Sequence, residues 1–350
     1  MPKLRLVSLL STLMVSVLLV ACTPAAPAAA PTSPPAAAPK PTTAPAATTG
    51  VAAAPAVQIG PDTYIPLISK GFQHQFWQAV KLGAENAAKD LNVKITFEGP
   101  ETEAMVDKQI EMLQAALDKK PAAIGFAALD TKAALPLLQK AQDQKIPVIG
   151  FDSGVDSDIP LTTAATDNLK AAGMAADKMA ELIGNSGEVA LVVHDQTSRT
   201  GIDRRDGFVN EIKAKYPNIN IVDIQYGAGD QLKSTDITKA IIQAHPNLKG
   251  IFGANEGSII GVINGITELN KIGKIVAIGY DSGKPQKDAI RAGVEAGAIT
   301  QDPIGIGYKT VDAAVKALKG ESLPKNIDTG FKWYDKSNID DPSIAAVLYD

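Results

Sequence analysis

The sequence predicts an α/β protein made of two similar lobes, each a doubly wound parallel sheet with helices on both faces. Three observations predict it. From Thr63 onward, short apolar runs alternate with segments of helical periodicity. The alternation restarts near Val189, and one strand-end hexapeptide occurs twice. Strands alternating with helices favour a parallel sheet covered on both sides.

In the first half, the apolar run Tyr64 to Ile68 reads as a strand and Phe76 to Leu91 as an amphipathic helix. Val93 to Phe97 is a second strand and Glu103 to Asp118 a second helix. Ala123 to Ala127 is a strand, Lys132 to Asp143 a helix, and Val148 to Phe151 a strand. In the second half, Val189 to Val193, Ile219 to Ile224, Gly250 to Gly253 and Ile275 to Tyr280 read as strands. Helices are expected over Gly201 to Lys213, Ser234 to Ala244 and Ser258 to Leu269. The hexapeptide Ile149-Gly150-Phe151-Asp152-Ser153-Gly154 returns as Ile278-Gly279-Tyr280-Asp281-Ser282-Gly283. Ala123 to Ala127 stands in the first half where Gly250 to Ala254 stands in the second. Two βαβ units could converge on such strand ends, but the whole pattern favours duplicated lobes.

The start of the chain has a different character. Met1 to Arg5 is positively charged, Leu6 to Ala21 is apolar, and the run ends Leu19-Val20-Ala21-Cys22. Residues 1–22 read as a secretory signal, shorter than the roughly 20 apolar residues that a spanning helix needs. Its end resembles a bacterial lipoprotein box, which implies a lipid carried on Cys22 and a protein tethered to a membrane outside the cytoplasm. An uncleaved anchor is the alternative. Residues 23–61, nearly all Ala, Pro, Thr and Ser, form an extended spacer that cannot bury a core.

Composition narrows the function. A net charge of −4 lacks the basic face that nucleic acid requires. Cys22 is the only cysteine, so neither an intrachain disulfide nor a thiolate metal cluster can form. His74, His194 and His245 fall in separate segments, with no metal-ligand spacing, nucleophile elbow or phosphate loop. No metal, cofactor or catalytic residue is expected. Paired carboxylates could serve glycoside hydrolysis, an alternative that product formation from a sugar would reveal.

Ligands of parallel α/β sheets bind beyond the carboxyl ends of the strands. Asp152 and Asp281 occupy matching strand ends, so two facing lobes would aim both carboxylates into one cleft. A carboxylate accepts from two adjacent hydroxyls, in short charge-assisted bonds suited to a polyol. A turn or helix cap is the plainer role for either aspartate alone. Phe76 and Trp77, after the first strand, offer aromatic faces for the CH side of a sugar ring. As helix neighbours they point in different directions, so at least one is expected to touch ligand, with packing of one or both into the core as the alternative. Asn255 and Gln301 follow strands, and their amides both donate and accept, as hydroxyls do; local capping is the alternative. Of the nearby arginines, Arg205 suits a solvated helix face, and Arg204 points elsewhere.

His74-Gln75-Phe76-Trp77, Phe151-Asp152, Thr166-Asp167-Asn168, Arg204 to Phe208, Asn255-Glu256, Gly279-Tyr280-Asp281 and Thr300-Gln301 together carry a resemblance. From about Thr63 to its end, the chain resembles the periplasmic sugar-binding proteins of the ribose and galactose type. The resemblance implies the type I periplasmic-binding-protein fold with a three-segment hinge near Asp167, Asp302 and Thr329. It divides the chain into one lobe of residues 62–166 and 302–330 and another of 167–301 and 331–350. It implies ligand contacts from His74, Phe76, Trp77, Asp152, Arg204, Asn255, Asp281 and Gln301. It also implies a monomer that captures a monosaccharide or polyol and delivers it to the permease of an ABC importer. A sensory receptor for chemotaxis or quorum sensing would use the same site. The chain departs from the ribose binders at Ser153, where they carry arginine, and at His74, where they carry asparagine. The aromatic that they have near Gly229 is also missing, so the pocket suits another pentose, a hexose or a polyol.

Overall fold

The computed structural model describes residues 59–350. The expected export signal, Cys22 and the spacer up to residue 58 lie outside the described residues. The remaining chain forms two six-stranded sheets, each flanked by helices.

The first sheet holds β1 (Tyr64–Ile68), β2 (Lys94–Glu98), β3 (Ile124–Phe126), β4 (Val148–Phe151), β5 (Thr162–Ala165) and β11 (Asn326–Asp328), in the order β11-β5-β4-β3-β1-β2. All of its pairings are parallel. Helices α1 (Gln75–Asp90), α2 (Val106–Asp118), α3 (Leu135–Asp143) and α9 (Pro303–Leu318) cover it. The second sheet holds β6 (Gly187–Val193), β7 (Ile219–Tyr226), β8 (Leu248–Gly253), β9 (Val276–Tyr280), β10 (Gly297–Gln301) and β12 (Phe331–Asp335). Its order is β12-β10-β9-β8-β6-β7, parallel except for β12, which runs against β10. Helices α4 (Asn168–Ile183), α5 (Arg199–Lys215), α6 (Gln231–Ala244) and α7 (Glu256–Glu268) pack on it. Helix α8 (Lys284–Ala292) lies beside α7, and α10 (Pro342–Ala345) is a single turn.

The chain passes between the sheets three times: between β5 and α4, between β10 and α9, and between β11 and β12. At the first two passages an aspartate ends the extended segment and caps the next helix. Asp167 accepts from the Lys170 amide and Asp302 from that of Gly305.

Some elements differ from the sequence reading. α2 starts at Val106 rather than Glu103, and α3 at Leu135 rather than Lys132. β5, β11, β12, α4, α8, α9 and α10 add to the elements read from the sequence. Thr162-Thr163-Ala164-Ala165 has neither an apolar run nor alternation, so its pairing in the sheet decides its state. Five of the nine buried residues of α4 are alanine and one is glycine, which gives periodicity little contrast.

Each sheet has apolar cores on its faces. The face under α1 and α9 gathers Ile65, Leu67, Trp77, Val80, Phe151, Ile306 and Val311. The face under α4 and α5 gathers Met179, Leu191, Phe208, Phe252 and Tyr280, with the Phe208 and Phe252 rings stacked at 4.8 Å. α1 and α9 meet backbone to backbone, because Gly83 and Gly307 sit at their contact. A methyl at Gly307 would run into the Val80 carbonyl, and one at Gly83 into that of Ile304. Gly307→Ala is therefore expected to cost about 1–3 kcal/mol through overpacking. The melting temperature should fall by roughly 3–10 °C, as a calorimetric scan would show.

Candidate functional site

Both strand-end aspartates adopt a left-handed backbone, with φ of 54° at Asp152 and 82° at Asp281. Aspartate tolerates this conformation better than most residues. In each lobe the aspartate amide donates to the neighbouring strand: Asp152 to the Ala164 carbonyl at 2.9 Å, Asp281 to that of Ile299 at 2.7 Å. The sequence repeat is thus a structural repeat, and both aspartates line the same pocket.

The structure brings all eight sequence-predicted residues together around one narrow pocket between the sheets, with a cavity volume of about 20 Å³. His74, Phe76, Trp77 and Asp152 come from the first lobe; Arg204, Asn255, Asp281 and Gln301 come from the second and its edge at β10. Four further residues complete the wall: Lys70, Glu103, His194 and Thr200.

The second-lobe side is tightly organised. Asp281 Oδ1 accepts from Gln301 Nε2 at 2.8 Å, and its Oδ2 accepts from the Glu256 amide at 3.0 Å. Buried Arg204 donates from Nε to Asn168 Oδ1 at 2.8 Å and from Nη1 to the Ala254 carbonyl at 2.9 Å. Its guanidinium lies 3.7 Å from the Tyr280 ring centre, and Nη1 stands 3.9 Å from Asp281 Oδ2. Arg205 is half exposed and pairs with Asp206, as a solvated helix charge should. Asn255 caps α7, its Oδ1 accepting from the Ser258 amide at 2.9 Å. The capping alternative therefore holds for that oxygen, and the Asn255 amide group remains to donate.

The first-lobe side is less satisfied. Among the described residues, no hydrogen bond reaches the Asp152 carboxylate from protein. Burial pushes its pKa up to about 6, against the pull of Lys70 and Arg204. Burial also opposes the Lys70 charge, but Glu103, Asp195 and Asp152 outweigh it and raise its pKa. Burial would lift the Glu103 carboxyl, yet Lys70 at 3.5 Å, with His74 and His194, holds it at about 2. Lys70 donates to Thr200 Oγ1 at 3.2 Å, across the cleft. Burial lowers His194 to about 3, so it stays a neutral ring, 3.1 Å from Thr200 Oγ1. His74 Nδ1 and Gln301 Oε1 are buried without a hydrogen-bond partner, and Glu103 Oε2 has only its ion pair with Lys70. Buried polar atoms rarely go unpaired. A molecule bearing several hydroxyls supplies donors and acceptors to all of them.

Phe76 and Trp77 form an angled aromatic wall, their rings 5.0 Å apart at 80°. The sequence puts neighbouring residues on different sides of a helix, yet at this helix start both reach the cavity. Trp77 Nε1 donates to Glu103 Oε1 at 2.8 Å, which fixes the indole. A bound solute is expected to shift the Trp77 emission. Trp333 is the only other tryptophan, so Trp77→Phe should abolish the change, and a persisting signal would place the response elsewhere.

One of the four missed residues left a signal in the sequence. Lys70 closely follows the first strand, where cleft ligands are expected, and the structure buries it. The sequence pattern extends the helix back to Glu103, but α2 begins three residues later and Glu103 faces the cavity from the loop.

The fold and site define a two-lobed α/β binding protein with a polar, aromatic-walled cavity between its lobes. The lobes touch across the cleft. The Gln73 side chain donates to the Gly229 carbonyl at 3.1 Å, the Thr131 amide to the Thr197 carbonyl at 3.0 Å, and Arg199 pairs with Asp156. Residues 65–322 match the periplasmic binding protein domain, and the chain belongs to that family, with its type I fold. Two ABC transporter solute-binding proteins from Agrobacterium vitis superpose with a TM-score of 0.79 each. One, solved with α-D-tagatopyranose, is 33% identical and covers 83% of this chain and 100% of its own. The other, solved with D-fucose, is 34% identical and covers 82% of this chain and 100% of its own. The D-allose-binding periplasmic protein of Escherichia coli (strain K12) is 26% identical over 278 residues, 77% of this chain and 89% of that relative.

Proposed function

We propose that this protein is the extracytoplasmic solute-binding component of an ABC importer, and that it captures a monosaccharide or polyol without chemical change. One observation carries the reading: a carboxylate from each lobe lines one shared pocket that also holds an aromatic wall and unpartnered polar atoms. Asp152 and Asp281 accept from hydroxyls, while Arg204, Asn255 and Gln301 donate or accept around them. Phe76 and Trp77 take the apolar face of the ring. His74 offers an unpaired ring nitrogen, and Lys70 and Glu103 extend the polar lining. The solute-binding relatives support import over a sensory role.

Residues 62–166 with 302–330, and 167–301 with 331–350, act as the two lobes. They pivot at Asp167, Asp302 and Thr329 and close around the sugar as hinged domains do, ready for the permease. The protein works as a monomer. Calorimetry and thermal shift against D-fucose, D-tagatose, D-allose, D-arabinose, D-ribose and the corresponding polyols test the reading. A native-state ligand raises the melting point, so one or more of these should do so; failure of all of them would refute the assignment.

The same reading anchors the chain at Cys22 by lipid, with residues 23–61 as a spacer holding the binding domain off the membrane. Cys22→Ala is expected to move the protein from the membrane pellet to the soluble fraction. Retention in the pellet would mean a different anchor.

A further inference from the structure

We infer that Glu256 is a closure latch: a positioning residue that caps helix α1 from across the cleft and couples lobe closure to the placement of Phe76 and Trp77. It rests on the proposed sugar-binding role and adds a residue outside the cavity wall.

The first turn of a helix leaves amide groups without helical partners. α4, α5, α6, α7 and α9 each satisfy one with a side chain just before the helix: Asp167, Ser198, Asp230, Asn255 and Asp302. At α1 the residue in that position is His74, and its side chain makes no cap bond. The carboxylate of Glu256, from the other lobe, does so instead. Its Oε1 accepts from the Gln75 amide at 3.0 Å and its Oε2 from the Phe76 amide at 3.2 Å. A carboxylate at this end of a helix also meets the positive end of the macrodipole.

Glu256 is tied to the site at both ends. Its own amide donates to Asp281 Oδ2 at 3.0 Å, and its carboxylate holds the turn that bears Phe76 and Trp77. Tyr349, from the same lobe as Glu256, supports it and meets α1 through its ring. The Tyr349 hydroxyl donates to Glu256 Oε2 at 3.4 Å and accepts from the Ser282 amide at 3.2 Å, while its ring meets Phe76 at 6.1 Å. The Gln75 side chain accepts from the Lys284 amide at 2.7 Å. Opening the cleft would strip α1 of its cap and leave the Glu256 carboxylate with only the Tyr349 hydroxyl of its own lobe and water. Closure restores both, so part of the free energy that holds the lobes shut comes from a contact that never touches the sugar.

The test compares wild type, Glu256→Ala and Glu256→Gln by stopped-flow binding of D-fucose or D-tagatose, with small-angle scattering before and after sugar. The wild type is expected to bind and become more compact. Glu256→Ala should release sugar roughly 10- to 100-fold faster, as lost charge-assisted bonds dictate. Its association rate and ligand-free melting temperature should stay within error, because the open form does not contain the contact. Glu256→Gln, which retains one acceptor oxygen, should recover most of the slow release. Amide exchange at Gln75 and Phe76 in the sugar-bound protein should be slow in wild type and fast in Glu256→Ala. Unchanged release by Glu256→Ala would overturn the latch while leaving sugar binding in place. A ligand-free melting temperature falling as far as the sugar-bound one would also overturn it, as evidence of an ordinary structural residue. A wild type that neither binds nor compacts with any sugar removes the binding role and the latch together.

Discussion

Asp152→Asn is expected to weaken sugar binding about 100-fold at pH 7.5 without lowering the stability of the ligand-free protein. Asparagine keeps the shape but replaces one acceptor oxygen with a donor and removes the charge that makes hydroxyl bonds short and strong. About 2–3 kcal/mol of binding energy is at stake, near the worth of one or two charge-assisted bonds. The fold loses little, because no protein group among the described residues donates to this carboxylate. Burial has raised its pKa to about 6, so the ionised form is disfavoured in the closed protein. A carboxyl raised above its unfolded value of 3.8 costs stability above pH 6, here about 3 kcal/mol. That cost is relieved as pH falls through 6 toward 3.8. Sugar affinity runs the other way. The bound hydroxyls need the ionised acceptor, so affinity should fall as pH drops through 6, and Asp152→Asn should remove that dependence. His194, held near 3, stays neutral over this range. Titration calorimetry from pH 5 to 8 on both proteins checks the pair of outcomes. A flat wild-type profile, or wild-type affinity in the variant, would count against Asp152 as the ionised acceptor.

Arg204→Lys should cost both affinity and stability, although it preserves charge. Arg204 spreads one planar group over the Tyr280 ring while bonding Asn168 Oδ1 and the Ala254 carbonyl and approaching Asp281. A lysine ammonium is a compact point that cannot match this fork. At least one buried acceptor would lose its donor, at about 1–3 kcal/mol each. The expected melting temperature is lower by roughly 5–15 °C, with affinity reduced at least 30-fold. Asn168 also accepts from the Tyr280 hydroxyl at 2.8 Å. Asn168→Ala should therefore reproduce part of the stability loss, and a full-strength Arg204→Lys protein would show that this network does not organise the site.

Much of this site is legible in the sequence because the chemistry sits at strand ends, and strand ends are marked by apolar runs. Asp152 and Asp281 stand out since each closes such a run, and the hexapeptide around them repeats. Lys70 and Glu103 are harder to find. A lysine in a loop usually serves as a surface charge, and only the tertiary fold shows Lys70 buried with Glu103 as its counter-charge. Glu256 is harder still. It sits in the first turn of its own helix, a favourable place for any acidic residue, and its partner amides lie 181 and 180 residues away. Local sequence carries no trace of that separation. The lobe architecture follows from the strand and helix rhythm, whereas β5, β11 and β12 owe their state to sheet neighbours supplied by distant segments.

A crystal structure of the complex with whichever tested sugar binds most tightly probes the heart of the account. The prediction is one sugar ring enclosed between the lobes, with oxygens of both Asp152 and Asp281 about 2.5–3.2 Å from its hydroxyls and the Phe76–Trp77 wall against its apolar face. A ring held by a single lobe, or bound outside the cavity with either carboxylate out of reach, would contradict it.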